Sequence, residues 1–98
     1  MAAFIKRART TDRSFGTVLD ALFESGQLDN TVVVCTTDHG IAFPNMKCNL
    51  TQHGAGVMLI LAGPGVPRGG VCDGLVSHID LYPTLCELAG VDKPDWLE

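Results

Sequence analysis

The stretch TVVVCTTDHG, residues 31–40, decides the fold of this chain. Its first seven residues are rich in β-branched side chains and do not alternate between apolar and polar, which predicts a buried central strand over 31–37. Asp38 and His39 follow directly, so a carboxylate and an imidazole are presented together where the strand ends. Open α/β sheets bind their ligands at such strand ends, and the pair therefore suggests a divalent cation site. The alternative is that Asp38 caps the next turn and His39 is simply exposed.

The segments around this stretch supply the other elements of an α/β fold. Apolar residues recur at three- and four-residue steps over 3–25, which predicts a helix ending near Gly26. The apolar run 57–62 predicts a second buried strand. A last helix begins near Asp80 and is stopped by Gly90, with Ser77 or Asp80 as its cap. The order helix, strand, loop, strand, helix predicts an α/β layer whose sheet is covered by helices.

The long loop over 38–54 contains further candidates for ligand binding or catalysis. The Lys47 ammonium could fold back beside the Asp38 carboxylate and bind an anionic group, although a solvated loop lysine is an equal alternative. His53 and His78 are candidates for proton transfer because imidazole titrates near neutral pH. His78 stands just before the last helix, which favours a structural role.

Composition excludes several classes of function. The 98 residues are 46% apolar and 18% charged, with a formal net charge of −4, which indicates a globular chain with a modest core. The seven basic residues are scattered, so no nucleic-acid partner is expected, and no apolar run approaches the length of a membrane span. The four cysteines lack the close pairs of structural zinc sites and are interpreted as small hydrophobes or incidental thiols.

Several separated motifs resemble the sulfatase family in order and spacing. They are LDNTVVV at 28–34, TTDHG at 36–40 followed by Lys47 and Leu50, and VSHIDLYPTL at 76–85. The stretch over 38–50 looks most like the sulfamidase, or heparan N-sulfatase, branch. The resemblance covers nearly the whole chain. It implies that residues 1–98 are a partial catalytic domain, the C-terminal part of that domain, with an α/β fold that is a fragment of an alkaline-phosphatase-like sheet sandwiched by helices.

The resemblance also implies roles for the loop residues. Asp38 and His39 match the family's metal ligands, and Lys47 matches the basic residue that contacts the sulfate of a sulfated small molecule or glycan. The expected ion in the parent enzyme is Ca²⁺, but the nitrogen of His39 stands where asparagine is more frequent and would shift preference toward Mn²⁺ or Zn²⁺. Such an enzyme hydrolyses a sulfate ester or sulfamate.

One departure from the family concerns the nucleophile. Sulfatases convert a Cys or Ser, in a Cys/Ser-x-Pro/Ala-x-Arg context, to formylglycine, and none of the cysteines has that context. The 98 residues are therefore expected to be inactive alone. Two alternatives stay open. His39 also resembles the phosphoester and phosphonate hydrolases of the superfamily, and the high apolar fraction fits a non-catalytic module that forms a homo-oligomer through exposed apolar surface.

Overall fold

The computed structural model describes residues 2–97. Within residues 2–66 it contains a two-stranded antiparallel sheet. Strand β1, Val33–Thr36, pairs with strand β2, Leu59–Ala62, so that Val33 lies opposite Ala62 and Thr36 opposite Leu59. The valines of β1 favour the extended backbone. Strand β2 is followed by Gly63, whose φ of +133° and close approach to the Thr31 carbonyl leave no room for a side chain.

The prediction of a buried central strand over 31–37 is wrong in its burial and its length. Within the described residues β2 is the sole neighbour of β1, and no residue of either strand is fully buried. In β2 half-buried Leu59 and Leu61 alternate with exposed residues, among them Ile60, of which 54% is exposed. A strand becomes buried only where other layers cover both of its faces, and among the described residues no helix packs on β1 or β2.

Helix α1, Ala2–Glu24, confirms the helix predicted over 3–25. It ends where Gly26 adopts a φ of +70° and donates a hydrogen bond of 3.0 Å to the carbonyl of Phe23. Gln27 donates a second bond of 3.0 Å to Leu22, which completes a glycine-terminated helix end. The helix contacts the 3-10 turn Leu28–Asn30 but does not pack on the strands, so the predicted covering of the sheet by this helix is not observed.

The chain divides between Val66 and Pro67 into two compact units. The second unit contains a 3-10 turn, His78–Asp80, that leads into helix α3, Leu81–Ala89. The predicted cap is confirmed, since the Ser77 amide donates to Asp80 Oδ2 at 2.7 Å. The helix ends as predicted at Gly90, which has a φ of 67°.

Packing within the second unit is light. Cys86 is the one buried apolar residue among residues 2–97, and the rings of Tyr82 and Trp96 stack with centroids 6.1 Å apart. All four cysteines are free; Cys48 and Cys72 are exposed and Cys35 is half-buried. No helix in the described part of the chain is both long and apolar enough to cross a membrane.

Candidate functional site

The end of β1 is fixed to the residue before β2 by three hydrogen bonds. Thr36 Oγ1 donates to the carbonyl of Met58 at 2.8 Å, and the Thr37 amide donates to the same carbonyl at 3.3 Å. The Met58 amide donates to Thr37 Oγ1 at 3.2 Å. The backbone that leads into Asp38 is therefore anchored, although Asp38 itself lies beyond the strand.

Asp38 and His39 present their side chains to each other. His39 Nε2 lies 3.3 Å from Asp38 Oδ2, and His39 Nδ1 lies 2.8 Å from the carbonyl oxygen of Gly40. A carbonyl oxygen can only accept a hydrogen bond, so Nδ1 carries a proton. In the neutral ring Nε2 then has a free lone pair beside a carboxylate oxygen. At this separation the two atoms can both donate electron pairs to one metal ion.

This arrangement fits a bound divalent ion in two respects. Metal-binding histidines usually donate their second N–H to a carboxylate or a backbone carbonyl, as His39 does to Gly40. The 3.3 Å between Nε2 and Oδ2 suits two adjacent ligands of one ion, because ligand bonds of about 2.0–2.4 Å place neighbouring ligands roughly 3 Å apart. The side chain of Asp38 is 85% exposed and that of His39 42% exposed, so both are accessible.

The two residues are an incomplete ligand set. Among residues 2–97 no group of three or more His, Cys, Asp and Glu side chains lies close enough to hold one metal ion. Structural zinc sites use four protein ligands and calcium takes six to eight oxygens. The pair can therefore supply only part of a coordination sphere.

A backbone contact between Gly40 and Gly54 holds the loop closed behind this pair. The Gly40 amide donates to the carbonyl of Gly54 at 3.2 Å, and both glycines are buried. A methyl group at Gly40 would overlap the carbonyl oxygen of His53 and lie 2.8 Å from that of Gly54. At Gly54 it would overlap the carbonyl oxygens of Met46 and Asn49. Steric room, rather than positive φ, is what requires glycine at both positions.

Lys47 lies in a turn of the same loop. Its amide donates to the carbonyl of Ile41 at 3.1 Å, and its carbonyl accepts a bond of 3.2 Å from the Asn49 side-chain amide. Its side chain is exposed and forms no ion pair with any carboxylate in residues 2–97. The predicted approach of the ammonium to the Asp38 carboxylate is therefore not seen, and its role toward sulfate stays a prediction.

The backbone carbonyl of His53 lies next to Gly40, whereas His78 belongs to the second unit. His53 is on the short helix α2, Gln52–Ala55, and its side chain is exposed. The contact between its carbonyl and Gly40 brings the two histidine-bearing segments of the loop side by side. His78 is in the 3-10 turn before α3. A role for His53 in proton transfer stays a prediction.

Helix α2 and its cap are features that sequence reasoning missed. Thr51 Oγ1 accepts a hydrogen bond of 3.2 Å from the Gly54 amide and donates one of 3.4 Å to the Asn45 carbonyl. Asn45 and Cys48 adopt positive φ values of 63° and 69°. Threonine is a preferred N-cap residue and asparagine tolerates the left-handed region. The cap at Thr51 and the turn at Asn45 could therefore have been predicted from these residue types. The contact between Gly40 and Gly54 could not be predicted from any local sequence pattern.

Comparisons with known proteins identify the family that the whole chain resembles. The family model for sulfatases matches residues 1–91. Arylsulfatase K from Danio rerio is 40% identical over 87 residues, which are 85% of this chain and 17% of that protein. Human N-sulphoglucosamine sulphohydrolase is 34% identical over 87 residues, with 87% of this chain and 17% of that protein covered.

A further relative is also a sulfatase. A sulfatase from Formosa agariphila is 34% identical over 93 residues, covering 91% of this chain and 18% of that protein. The chain thus spans less than a fifth of the length of these relatives. No solved structure matches it.

Proposed function

This chain belongs to the sulfatase family, and we propose that residues 36–54 form part of the metal and substrate site of a sulfate ester or sulfamate hydrolase. The observation that carries the proposal is the donor pair Asp38 Oδ2 and His39 Nε2, with the opposite ring nitrogen fixed by the Gly40 carbonyl. In this proposal residues 1–98 are a partial catalytic domain, part of an alkaline-phosphatase-like sheet sandwiched by helices.

Asp38 and His39 bind the metal ion in this proposal. When bound, a divalent cation supplies positive charge against the negative charge that develops on the reacting oxygens. Asp38 contributes a hard carboxylate oxygen, which suits Ca²⁺. His39 contributes nitrogen, which suits Mn²⁺ or Zn²⁺ better than Ca²⁺. The Gly40 carbonyl holds the other ring nitrogen of His39, which would leave Nε2 available to a bound ion.

Lys47 is assigned to the sulfate group. Its ammonium is exposed and has no carboxylate partner among residues 2–97, so its charge is available to an anionic ligand. His53, on the segment that contacts Gly40, is the candidate for proton transfer to the leaving group. The human relative, by its name, acts on N-sulphoglucosamine, which supports a sulfated sugar as the substrate class.

The 98 residues alone are proposed to be catalytically inactive. None of the four cysteines stands in the sequence context of the sulfatase nucleophile, and two metal ligands do not complete a coordination sphere. The test is an aryl sulfate assay on the purified chain with added Ca²⁺ or Mn²⁺. No turnover above the buffer rate is expected, and a rate that disappears in Asp38→Ala would overturn this part of the proposal.

Ligand binding tests the site assignment itself. Sulfate is added to the chain in a buffer that contains Ca²⁺ but no Mn²⁺. We expect the NMR resonances of the backbone amides of residues 38–54 to shift. The shifts should weaken several-fold in Lys47→Ala, because one cation contact is lost. Lys6→Ala removes the same charge from helix α1 and should leave them unchanged. If both substitutions reduced the resonance shifts equally, sulfate binding would depend only on the net charge of the chain.

A second candidate function is hydrolysis of phosphate esters or phosphonates. It rests on His39, whose nitrogen ligand stands where sulfatases more often have asparagine. Comparison of sulfate and phosphate ester hydrolysis by a longer protein that contains this segment separates the two. Strong preference for phosphate esters would favour the second candidate and contradict the first.

A third reading is a non-catalytic module that associates through its exposed apolar surface. The described residues include many large apolar side chains that are at least 40% exposed, more than a soluble monomer usually leaves in contact with water.

A further inference from the structure

The hydroxyl of Thr37 takes the place of a backbone carbonyl at the point where the two strands separate. Thr37 and Met58 are the next pair after Thr36 and Leu59 in the register of β1 and β2. In a regular antiparallel sheet a hydrogen-bonded pair exchanges two bonds between its amides and carbonyls. The Thr37 amide makes the first of these bonds, to the Met58 carbonyl at 3.3 Å. The Met58 amide donates instead to Thr37 Oγ1, at 3.2 Å.

This exchange leaves the Thr37 carbonyl out of the hydrogen-bond ladder between the strands. Threonine hydroxyls compete with the backbone for local hydrogen bonds and so offer the chain an alternative to a continued strand. The chain bends over 38–40. The ladder between β1 and β2 therefore ends directly before the donor pair Asp38 and His39.

A second anchor lies on the other side of the donor pair. The Gly40 amide donates to the carbonyl of Gly54 at 3.2 Å, and Gly54 stands four residues before Met58. The same short segment, residues 54–58, therefore supplies hydrogen-bond partners on both sides of the donor pair. Because the two residues of the pair alone bridge the gap, their direction depends on the backbone conformation at both anchors.

The two anchors differ in what fixes them. Gly40 is fixed by steric room, since a methyl group there would overlap the carbonyl oxygen of His53. Thr37 is fixed by one side-chain oxygen. Valine has nearly the same shape and the same preference for strands but offers no hydrogen-bond acceptor. In Thr37→Val the Met58 amide would find its acceptor in the carbonyl of residue 37, which extends the ladder by one bond and turns the residues that follow.

We propose that Thr37 is a positioning residue for the metal site: its hydroxyl ends the ladder between β1 and β2 and sets the direction in which Asp38 and His39 leave the sheet. Its consequence for metal binding rests on the proposed function, whereas its structural part concerns the metal-free chain. The His39 ring reports on that structural part, because the 2.8 Å contact between Nδ1 and the Gly40 carbonyl oxygen requires the bend over 38–40.

Nitrogen-15 NMR of the His39 ring in the metal-free chain tests the structural part. At about pH 8.5, well above the ordinary pKa of histidine, the unmodified chain should carry the ring proton on Nδ1, as donation to the Gly40 carbonyl requires. Thr37→Val should move a large share of the protons to Nε2. Thr37→Ser keeps a hydroxyl and should retain the Nδ1 form.

The matched control is Thr17→Val on helix α1. It removes a threonine hydroxyl that donates to the carbonyl of Arg13 at 3.0 Å, far along the chain from the donor pair, and should leave the His39 ring unchanged. Circular dichroism of every variant checks that the fold is retained, which is expected because valine favours strands.

Titration with Ca²⁺, followed by the backbone amide resonances of residues 38–40, tests the consequence for metal binding. Thr37→Val should weaken the affinity about tenfold, because groups that orient metal ligands affect affinity on this scale. Thr37→Ser and Thr17→Val should bind as tightly as the unmodified chain.

The two readouts separate this inference from the proposed function. If the unmodified chain binds no Ca²⁺ but Thr37→Val still moves the His39 ring proton, the metal site is wrong and the positioning role stands. If the His39 ring of Thr37→Val matches that of the unmodified chain, the positioning role is overturned, even where Ca²⁺ binding supports the metal site. Loss of the Nδ1 form in Thr37→Ser as well would overturn it too, because the hydroxyl would not be the cause.

Discussion

The amide of Gly40 donates a hydrogen bond of 3.2 Å to the carbonyl of Gly54. This bond connects the residue that fixes the His39 ring to the helix that carries His53. It closes the loop over 40–54 with two residues that have no side chains, and both are buried. The position of the donor pair Asp38 and His39 therefore depends on close backbone packing rather than on a hydrophobic core.

Alanine at either glycine should open this loop. Because the added methyl group would overlap backbone carbonyl oxygens, which cannot move as a flexible side chain can, Gly40→Ala and Gly54→Ala should each lower the free energy of unfolding by about 1–3 kcal/mol. Urea denaturation followed by circular dichroism measures this.

The matched control is Gly16→Ala, in the middle of helix α1. An added methyl group there meets nothing within 4 Å, and alanine is the better helix former, so stability should rise by about 0.5–1 kcal/mol. If Gly40→Ala were as stable as the unmodified chain, the loop would not be packed as described.

The turn before α3 should depend on the Asp80 carboxylate. Asp80 Oδ2 accepts a bond of 2.7 Å from the Ser77 amide, which is otherwise an unpaired donor at a helix start. Asp80→Ala should therefore destabilise the second unit by about 1 kcal/mol, measured as loss of amide exchange protection over 81–89. Asp73→Ala removes an exposed carboxylate from the preceding loop and should leave that protection intact.

Glu87 should titrate below its ordinary range. The hydrogen bond from the Lys93 ammonium and, secondly, its positive charge lower the pKa of Glu87 from the usual 4.5. A carboxyl group whose pKa is lower when folded contributes stability above its unfolded pKa and loses it as the pH falls through the folded pKa. The contribution is therefore present at neutral pH and is lost below pH 4.5. Because the pair is exposed, its effect is small.

NMR titration of the Glu87 side-chain carboxyl carbon measures this shift. In Lys93→Gln the pKa should rise toward its ordinary value, because the positive charge is removed and any hydrogen bond that remains comes from a neutral amide. Lys6→Gln serves as the control. A Glu87 pKa that is identical in the Lys93→Gln variant and the unmodified chain would show that the pair does not form in solution.

The sequence predicted elements better than it predicted their burial. The apolar periodicity and Gly26 predicted the bounds of helix α1 nearly to the residue, and Gly90 predicted the end of α3. Both worked because helix ends are set by local backbone preference. The apolar run over 31–37 also marked a strand, but burial depends on layers that a local pattern cannot supply. The strand is accordingly half-exposed.

The same distinction applies to the candidate site. Asp38 and His39 are consecutive after a strand, so their proximity could be predicted from the sequence, and the structure places Nε2 3.3 Å from Oδ2. The contact between Gly40 and Gly54 joins residues that are distant in sequence and could not be predicted. The position of the Lys47 ammonium depends on several rotatable bonds, and the expected approach to Asp38 is not observed.

His39 should determine which metal ion is preferred. His39→Asn replaces a nitrogen ligand with an amide oxygen, so the affinity for Mn²⁺ relative to Ca²⁺ should fall about tenfold. Competition between the two ions, followed by the electron paramagnetic resonance signal of free Mn²⁺, measures the ratio. His53→Asn, in the adjoining helix, should leave the ratio unchanged, and an equal effect of both substitutions would remove His39 from the ligand set.

Calorimetric titration of the purified chain with Mn²⁺ and with Ca²⁺ tests the central claim that Asp38 and His39 form part of a metal site. We predict binding at one site, with a dissociation constant on the order of 10⁻⁴–10⁻³ M because the ligand set is incomplete, abolished in Asp38→Ala and retained in Asp73→Ala. Absence of binding by the unmodified chain, or binding that is unchanged in Asp38→Ala, would contradict the claim.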